Sequence, residues 1–137
     1  MKQLAVVLLK LPSGAYVFQR RTEDAPVNAG LLGFFGGHVN EGEGAIEAAR
    51  RELDEETSLQ IDELPFTPVD DFVVDREGEE VEYHLYEVST ESMDFEVYEG
   101  ERAEKYTIQE ALTRDDLTSS VKYTLEKIAK EQHVSAD

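Results

Sequence analysis

The chain is 137 residues long and carries 13 basic against 31 acidic residues, a net charge of −18. That length suits a single domain over residues 1–137 with a real core, and so negative a surface argues against gripping duplex nucleic acid or an anionic membrane. No apolar run approaches the roughly 20 residues of a membrane helix, and the absence of cysteine excludes disulfides and thiol chemistry and is compatible with a cytoplasmic setting.

In chain order, Leu4 to Leu11 is nearly all apolar and reads as a strand buried on both faces rather than a signal peptide. Pro12-Ser13-Gly14 is a turn, and Ala15 to Arg21 pairs back as a hairpin. Thr22 to Gly33 is a long polar loop, the kind that often carries function. Phe34-Phe35 is apolar, and Gly36-Gly37 permits an unusual backbone path. Gly44 to Thr57 is the clearest helix, with Ile46, Ala49 and Leu53 as its apolar stripe and an exposed Glu47–Arg51 pair. Ala45 and Ala48 are small enough to leave room beside the carboxylates that follow.

Asp71 to Asp75 and Val81 to Ser89 read as strands joined through Arg76-Glu77-Gly78, and Phe95 to Tyr98 as another short strand. Ile108 to Leu112 is a short helix. Leu117 to Lys130 is a longer one, with Thr118 or Ser119 as N-cap. Strands, helix, strands, helix implies an α+β layered fold, a mixed β-sheet packed between helices in an α/β/α sandwich. Among the histidines, His38 and His84 are expected to be structural or solvent-facing, and His133, near the C terminus, to stand apart from any site.

The chemistry concentrates in residues 37–59, GHVNEGEGAIEAARRELDEETSL. Glu52, Glu55 and Glu56 are three and four residues apart, so a helix places them on one face. Packed like charges repel unless a cation sits among them, and an oxygen-rich carboxylate cluster suits a hard divalent ion, Mg²⁺ or Mn²⁺. Such ions neutralise charge on phosphate oxygens and activate water, which is what cleaving a diphosphate bridge requires. Gly36-Gly37 brings backbone groups close enough to take part.

The spacing in full is Gly37, five residues, Glu43, seven residues, Arg51-Glu52, apolar Leu53, Asp54, Glu55-Glu56, Thr57, Ser58 and apolar Leu59. This closely resembles the Nudix box, G-x5-E-x7-R-E-U-x-E-E-x-G-U with U apolar. Ser58 replaces the final glycine, which puts the helix exit in question, and Phe35 stands where many relatives have proline.

The resemblance implies a hydrolase that uses Mg²⁺, with Mn²⁺ as substitute, to cleave a small-molecule nucleoside diphosphate derivative. Nucleoside triphosphates, including oxidised ones, fit a chain this small; nucleotide sugars and dinucleoside polyphosphates are the alternatives. A non-catalytic nucleotide sensor is the rival class, and retention of Glu52, Glu55 and Glu56 favours the enzyme. By resemblance, Glu55 and Glu56 are the principal metal ligands. Glu52 is a further ligand or the base, with Arg51 orienting it. Glu43 and the carbonyls of Gly36 or Gly37 are additional contributors. A downstream glutamate, Glu99 or Glu104, joins the site or serves as base. Arg20 and Arg21 are candidates for phosphate, and Phe34 and Phe35 for the base. Dimers are common among relatives, so a homodimer is compatible with this reading.

Overall fold

A computed structural model describes residues 1–136, and the side chains of residues 1–132, so the side chain of His133 lies outside the described residues. The strands are β1 (Lys2–Lys10), β2 (Tyr16–Arg20), β3 (Leu32–Gly33), β4 (Phe35–His38), β5 (Thr67–Arg76), β6 (Glu79–Ser89) and β7 (Arg102–Tyr106). The helices are α1 (Ala45–Glu56), α2 (Ile108–Leu112) and α3 (Ser119–Ala136). The sheet runs β3-β2-β1-β6-β5, with β4 also paired to β1 and β7 to β2. β1 and β6 are parallel and the other pairs antiparallel, so the sheet is mixed.

β1 is apolar throughout because both of its faces are covered. Leu4, Val6 and Leu8 pack with Val121 and Leu125 of α3, while Ala5, Val7 and Leu9 pack with Ala48, Ala49 and Leu53 of α1. The period-two alternation of a strand sends successive side chains into these two cores.

The sheet forks. β1 meets β2 at Leu9↔Val17 and Lys10↔Tyr16, but toward its start, from Leu4 to Val7, it pairs with β4 instead. β2 leaves to pair with β3 and β7. A cleft of about 570 Å³ opens near this fork, reaching from Gly36 and Gly37 of β4 to Gln19 of β2 and Arg21 just after it.

Several boundaries differ from the sequence reading. β5 begins at Thr67 rather than Asp71 and includes Pro68, with a bulge between Pro68 and Asp70. It is the last strand of the sheet order, where a proline is tolerated because one edge needs no partner. Residues 95–98 are not a strand: Val97 makes a single bridge to Thr57. β7 lies in a segment to which the sequence reading gave no element. In α1, Ile46 is 40% exposed, and Ala48 replaces it in the buried stripe with Ala49 and Leu53. Arg51 reaches Glu43 and Glu52 rather than Glu47.

One partly buried network ties the branches together. Arg20 donates through Nε and Nη2 to Glu104 at 2.9 and 3.0 Å, and through Nη1 to Asp116 at 2.9 Å and the Gly30 carbonyl at 3.0 Å. The Tyr106 hydroxyl donates to Glu104 at 2.6 Å, and Arg114 donates to Asp116. The Arg20 hydrogen bond holds Glu104 down at about 2, and Arg114 holds Asp116 down at about 2. A carboxylate with a depressed folded pKa contributes stability above its unfolded value, and that stability is lost as pH falls through the folded pKa. For Glu104 the window runs from pH 4.5 down to about 2, and the contribution is roughly 3 kcal/mol at neutral pH. Urea unfolding should therefore show Glu104→Gln losing about 2–3 kcal/mol at pH 7. The gap to wild type should narrow below pH 4.5; an equal loss at pH 7 and pH 2.5 would contradict the assignment.

Candidate functional site

α1 delivers its carboxylates onto the backbone of β4. Glu56 is 3% exposed, and its Oε1 accepts the Gly36 N–H at 2.9 Å. Gly36 has φ +135°, and a Cβ there would collide with the carbonyl of Ala5 on β1. A Cβ at Gly37 would collide with the Glu52 carboxylate. The two glycines thus serve different ends. Gly36 lets β4 lie against β1 in a backbone conformation closed to other residues, and Gly37 leaves the space that Glu52 fills.

Glu52, Glu56 and Glu99 each present a carboxylate oxygen within 4.8 Å of the others. Burial pushes Glu56 up to about 9, with a hydrogen bond to Glu99 adding to it and the Gly36 N–H opposing it. Burial also raises Glu52, opposed by Arg51. Glu52 and Glu56, crowded and withdrawn from water, resist ionisation, and a hard cation among the oxygens removes that resistance. The oxygen donors, the buried Glu56 and the space cleared at Gly37 fit a divalent ion of the Mg²⁺ class.

Arg51 stands on the other side of Glu52. Its Nε and Nη2 donate to Glu43 at 2.8 and 3.0 Å, its Nη1 to Glu52 at 2.9 Å, and its Nη2 also to the His38 carbonyl at 2.9 Å. Glu43, which accepts from the Asn40 N–H as well, anchors the arginine that holds Glu52. Glu55 lies outside the carboxylate triad, more than half exposed, with a 3.4 Å contact to Arg51.

The two downstream glutamates are separated by topology. Glu99 joins Glu52 and Glu56; Glu104 sits in the Arg20 network instead. Four contacts position Glu99. The Tyr98 N–H donates to the Glu56 carbonyl at 2.7 Å, and Gln19 donates to the Glu99 carbonyl at 2.9 Å. Gly100, at φ +83°, turns so tightly against Arg20 and Gln19 that a side chain would clash, and the Glu101 N–H donates to the Arg20 carbonyl at 2.9 Å. Ser58 adds a clamp: its N–H donates to the Glu96 carbonyl at 3.0 Å, and its hydroxyl accepts the Glu96 N–H at 2.7 Å. Its φ is not positive, so the residue that replaces the box glycine strains nothing and instead ties the α1 exit to the segment carrying Glu99.

Of the substrate candidates, Arg21 and Phe34 line the cleft together with the carboxylates. Arg20 does not, because its guanidinium is committed to Glu104, Asp116 and Gly30. Phe35 does not either; as the next residue along from Phe34 it turns the opposite way, fully buried beneath α1. The sequence reading missed Gln19 and Arg76, both in the cleft wall, while Tyr83, one of the aromatics it weighed for a base, lines the cleft as well. For Arg76 a signal existed, since it continues the inward alternation of Phe72 and Val74.

A family model described as NUDIX domain matches residues 1–129. No curated protein matches the chain. The MutT protein from Methanosarcina mazei Go1 superposes with a TM-score of 0.80 at 21% identity, covering 96% of this chain and 94% of that one. A C. elegans Ap4A hydrolase in a binary complex gives 0.70 at 18%, covering 95% and 98%. The E. coli dihydroneopterin triphosphate pyrophosphohydrolase gives 0.70 at 18%, covering 91% and 92%. At these identities the likeness is one of fold.

The Ser58 clamp has a direct readout. Ser58→Ala removes the acceptor of the Glu96 N–H, a bond of about 1 kcal/mol, and amide hydrogen exchange at Glu96 and Tyr98 should accelerate roughly fivefold to tenfold. Unchanged exchange there would show that the segment is held by its other contacts alone.

Proposed function

We propose that this chain, which belongs to the NUDIX family, is a Mg²⁺-dependent enzyme that cleaves the diphosphate linkage of a nucleoside diphosphate derivative. Membership makes it a pyrophosphohydrolase by class. The ion, the nucleotide and the residue roles are the proposal, and the gathering of Glu52, Glu56 and Glu99 at the mouth of one cleft is the observation that carries it.

Glu52, Glu56 and Glu99 hold the ion, with Glu55 a further carboxylate on the same helix face and the Gly36 or Gly37 carbonyl available beside them. When bound, the divalent ion neutralises charge on the diphosphate oxygens and makes water a better nucleophile at neutral pH. Arg51, braced by Glu43, fixes the carboxylate of Glu52 so that it can take a proton from an attacking water. Glu56, held by the Gly36 N–H, keeps its carboxylate aimed into the cleft with little conformational freedom to lose. Phe34 offers an aromatic surface at the cleft wall for a base. Nucleoside triphosphates, oxidised ones included, are the first class to test. Dinucleoside polyphosphates are the second, favoured by the Ap4A hydrolase among the structural neighbours.

The test is phosphate or pyrophosphate release across a nucleotide panel with Mg²⁺ and Mn²⁺. Glu56→Gln should cut kcat by more than about 100-fold, beyond the usual effect of outer-shell changes. Glu55→Gln should cost less, since its carboxylate stands outside the triad. Without metal, the melting temperature of Glu56→Gln should equal or exceed wild type, because glutamine keeps the acceptor for Gly36 and, like the carboxyl that burial holds neutral, adds no charge to the crowded cluster. Well-folded protein that turns over nothing with either ion would sink the enzyme reading. Full activity in Glu56→Gln would sink the site.

A further inference from the structure

The arginines of this acidic chain divide cleanly. Arg20, Arg50, Arg51, Arg102 and Arg114 each hold a carboxylate within 4.0 Å. Arg21 and Arg76 hold none among the described residues, and both line the cleft that contains the carboxylate triad. Acidic residues outnumber basic ones 31 to 13, so an arginine that finds no carboxylate partner while facing a cavity departs from the rest of the chain.

Their placement follows from the strands. Phe72, Val74 and Arg76 alternate onto one face of β5, where Phe72 stacks on Tyr83 with ring centroids 5.2 Å apart. Tyr83 is 3% exposed and registers beside Leu4 of β1. Lys2 lies on that same face two residues earlier and also lines the cleft. Arg21 follows directly on β2, and its Nε donates to the Val27 carbonyl at 2.9 Å, so its terminal nitrogens are held out for other partners. Burial pushes the Tyr83 phenol up, while a hydrogen bond with Ser120 and the nearby charges of Arg76 and Arg21 pull it down. Arg21, Arg76 and Tyr83 all line the same cleft.

This cationic group lies apart from the carboxylate triad; Asp24 also lines the cleft, and Lys2 pairs with Glu79 at 3.3 Å. Gly36, which binds Glu56, registers opposite Val6, and Lys2 is four residues further along β1. At the rise of a β-strand that places the backbone of Lys2 about 13 Å from that of Val6. Two guanidiniums brought to one pocket repel each other unless an anion lies between them. A planar fork suits phosphate or carboxylate oxygens better than it suits a neutral base.

We infer that the far end of the cleft, built from Arg21 and Arg76 over Tyr83, binds a second oxyanion of the substrate, a phosphate or carboxylate remote from the diphosphate that is cleaved. The inference rests on the proposed hydrolase reading and narrows its substrate class. A nucleoside triphosphate carries all its charge at one end, whereas this cleft is charged at both.

The experiment compares substrates that share a diphosphate and differ in a remote anion. NADPH against NADH and coenzyme A against dephospho-coenzyme A test a phosphate. UDP-glucuronate against UDP-glucose tests a carboxylate. With Mg²⁺, the anion-bearing member of at least one pair should have the higher kcat/KM by about tenfold or more. Arg76→Gln should bring that ratio near one, and Arg76→Lys, which keeps the charge and loses the fork, should retain a preference of a few fold. Ratios near one in wild type for every pair that is hydrolysed would overturn the inference and leave the hydrolase reading standing. If no pair is hydrolysed, equilibrium binding of the same pairs in Ca²⁺ decides. Tighter binding of the anion-bearing member that Arg76→Gln abolishes supports the second site, and equal binding overturns it. The hydrolase reading is judged separately, on the nucleotide panel.

Discussion

The structure turns on one close approach, that of the acidic face of α1 to the backbone of β4. A helix packs against a sheet at a distance set by the side chains between them. At Gly36 and Gly37 the sheet side contributes no side chain, and Ala48 fills only a small space on the helix side. That is why Glu56 can be buried and still meet a backbone N–H, and why Glu52 can rest where a Cβ of residue 37 would be. The same approach obliges β4 to pair with β1 through Gly36 and so helps to fork the sheet. Site and cleft are two consequences of one packing constraint.

The second requirement is to bring Glu99 to that place from more than forty residues downstream of α1. The chain does it with backbone hydrogen bonds rather than a strand. Residues 96–98 bond to the α1 exit, Ser58 doubles the bond at Glu96, and Gly100 presses the turn against β2. The stability that compensates for a crowded acidic site comes from elsewhere. The Arg20–Glu104–Asp116 network is largely shielded from solvent and has opposite charges in hydrogen-bonding geometry. The two clusters show both sides of carboxylate burial: desolvation without a cation raises a pKa, and a bidentate arginine lowers it.

Much of this was legible in the sequence because it is local. The α1 face, the Gly36-Gly37 path, the two-faced β1 and the turn at Glu77-Gly78 all follow from spacing within a few residues. What was not legible depends on pairing between distant segments. Nothing near Glu104 announces that Arg20 will lie across from it, and only the β2–β7 register separates Glu104 from Glu99. Gly100 after Glu99 hinted at a tight turn, but its reason, contact with Arg20 and Gln19, is long-range. Phe34 and Phe35 look equivalent on paper and part company because adjacent residues on an extended chain face opposite sides. The start of strand β5 hid behind Pro68, which an edge position excuses.

Charge raises the last question: how a protein at −18 admits an anionic substrate. Surface charges are screened beyond about 8–10 Å at ordinary ionic strength, so what a ligand meets inside the cleft is the local arrangement rather than the total. At one end the carboxylates attract cations first, and a bound divalent ion changes the sign of what a phosphate encounters. At the other end the cationic side chains supply positive charge directly, with Arg21 and Arg76 holding, among the described residues, none of the acidic partners that occupy the remaining arginines. The acidic exterior then works in favour of selectivity. It disfavours long polyanions, which would have to lie across the surface, and leaves entry to ligands small enough to place their charges within the cleft.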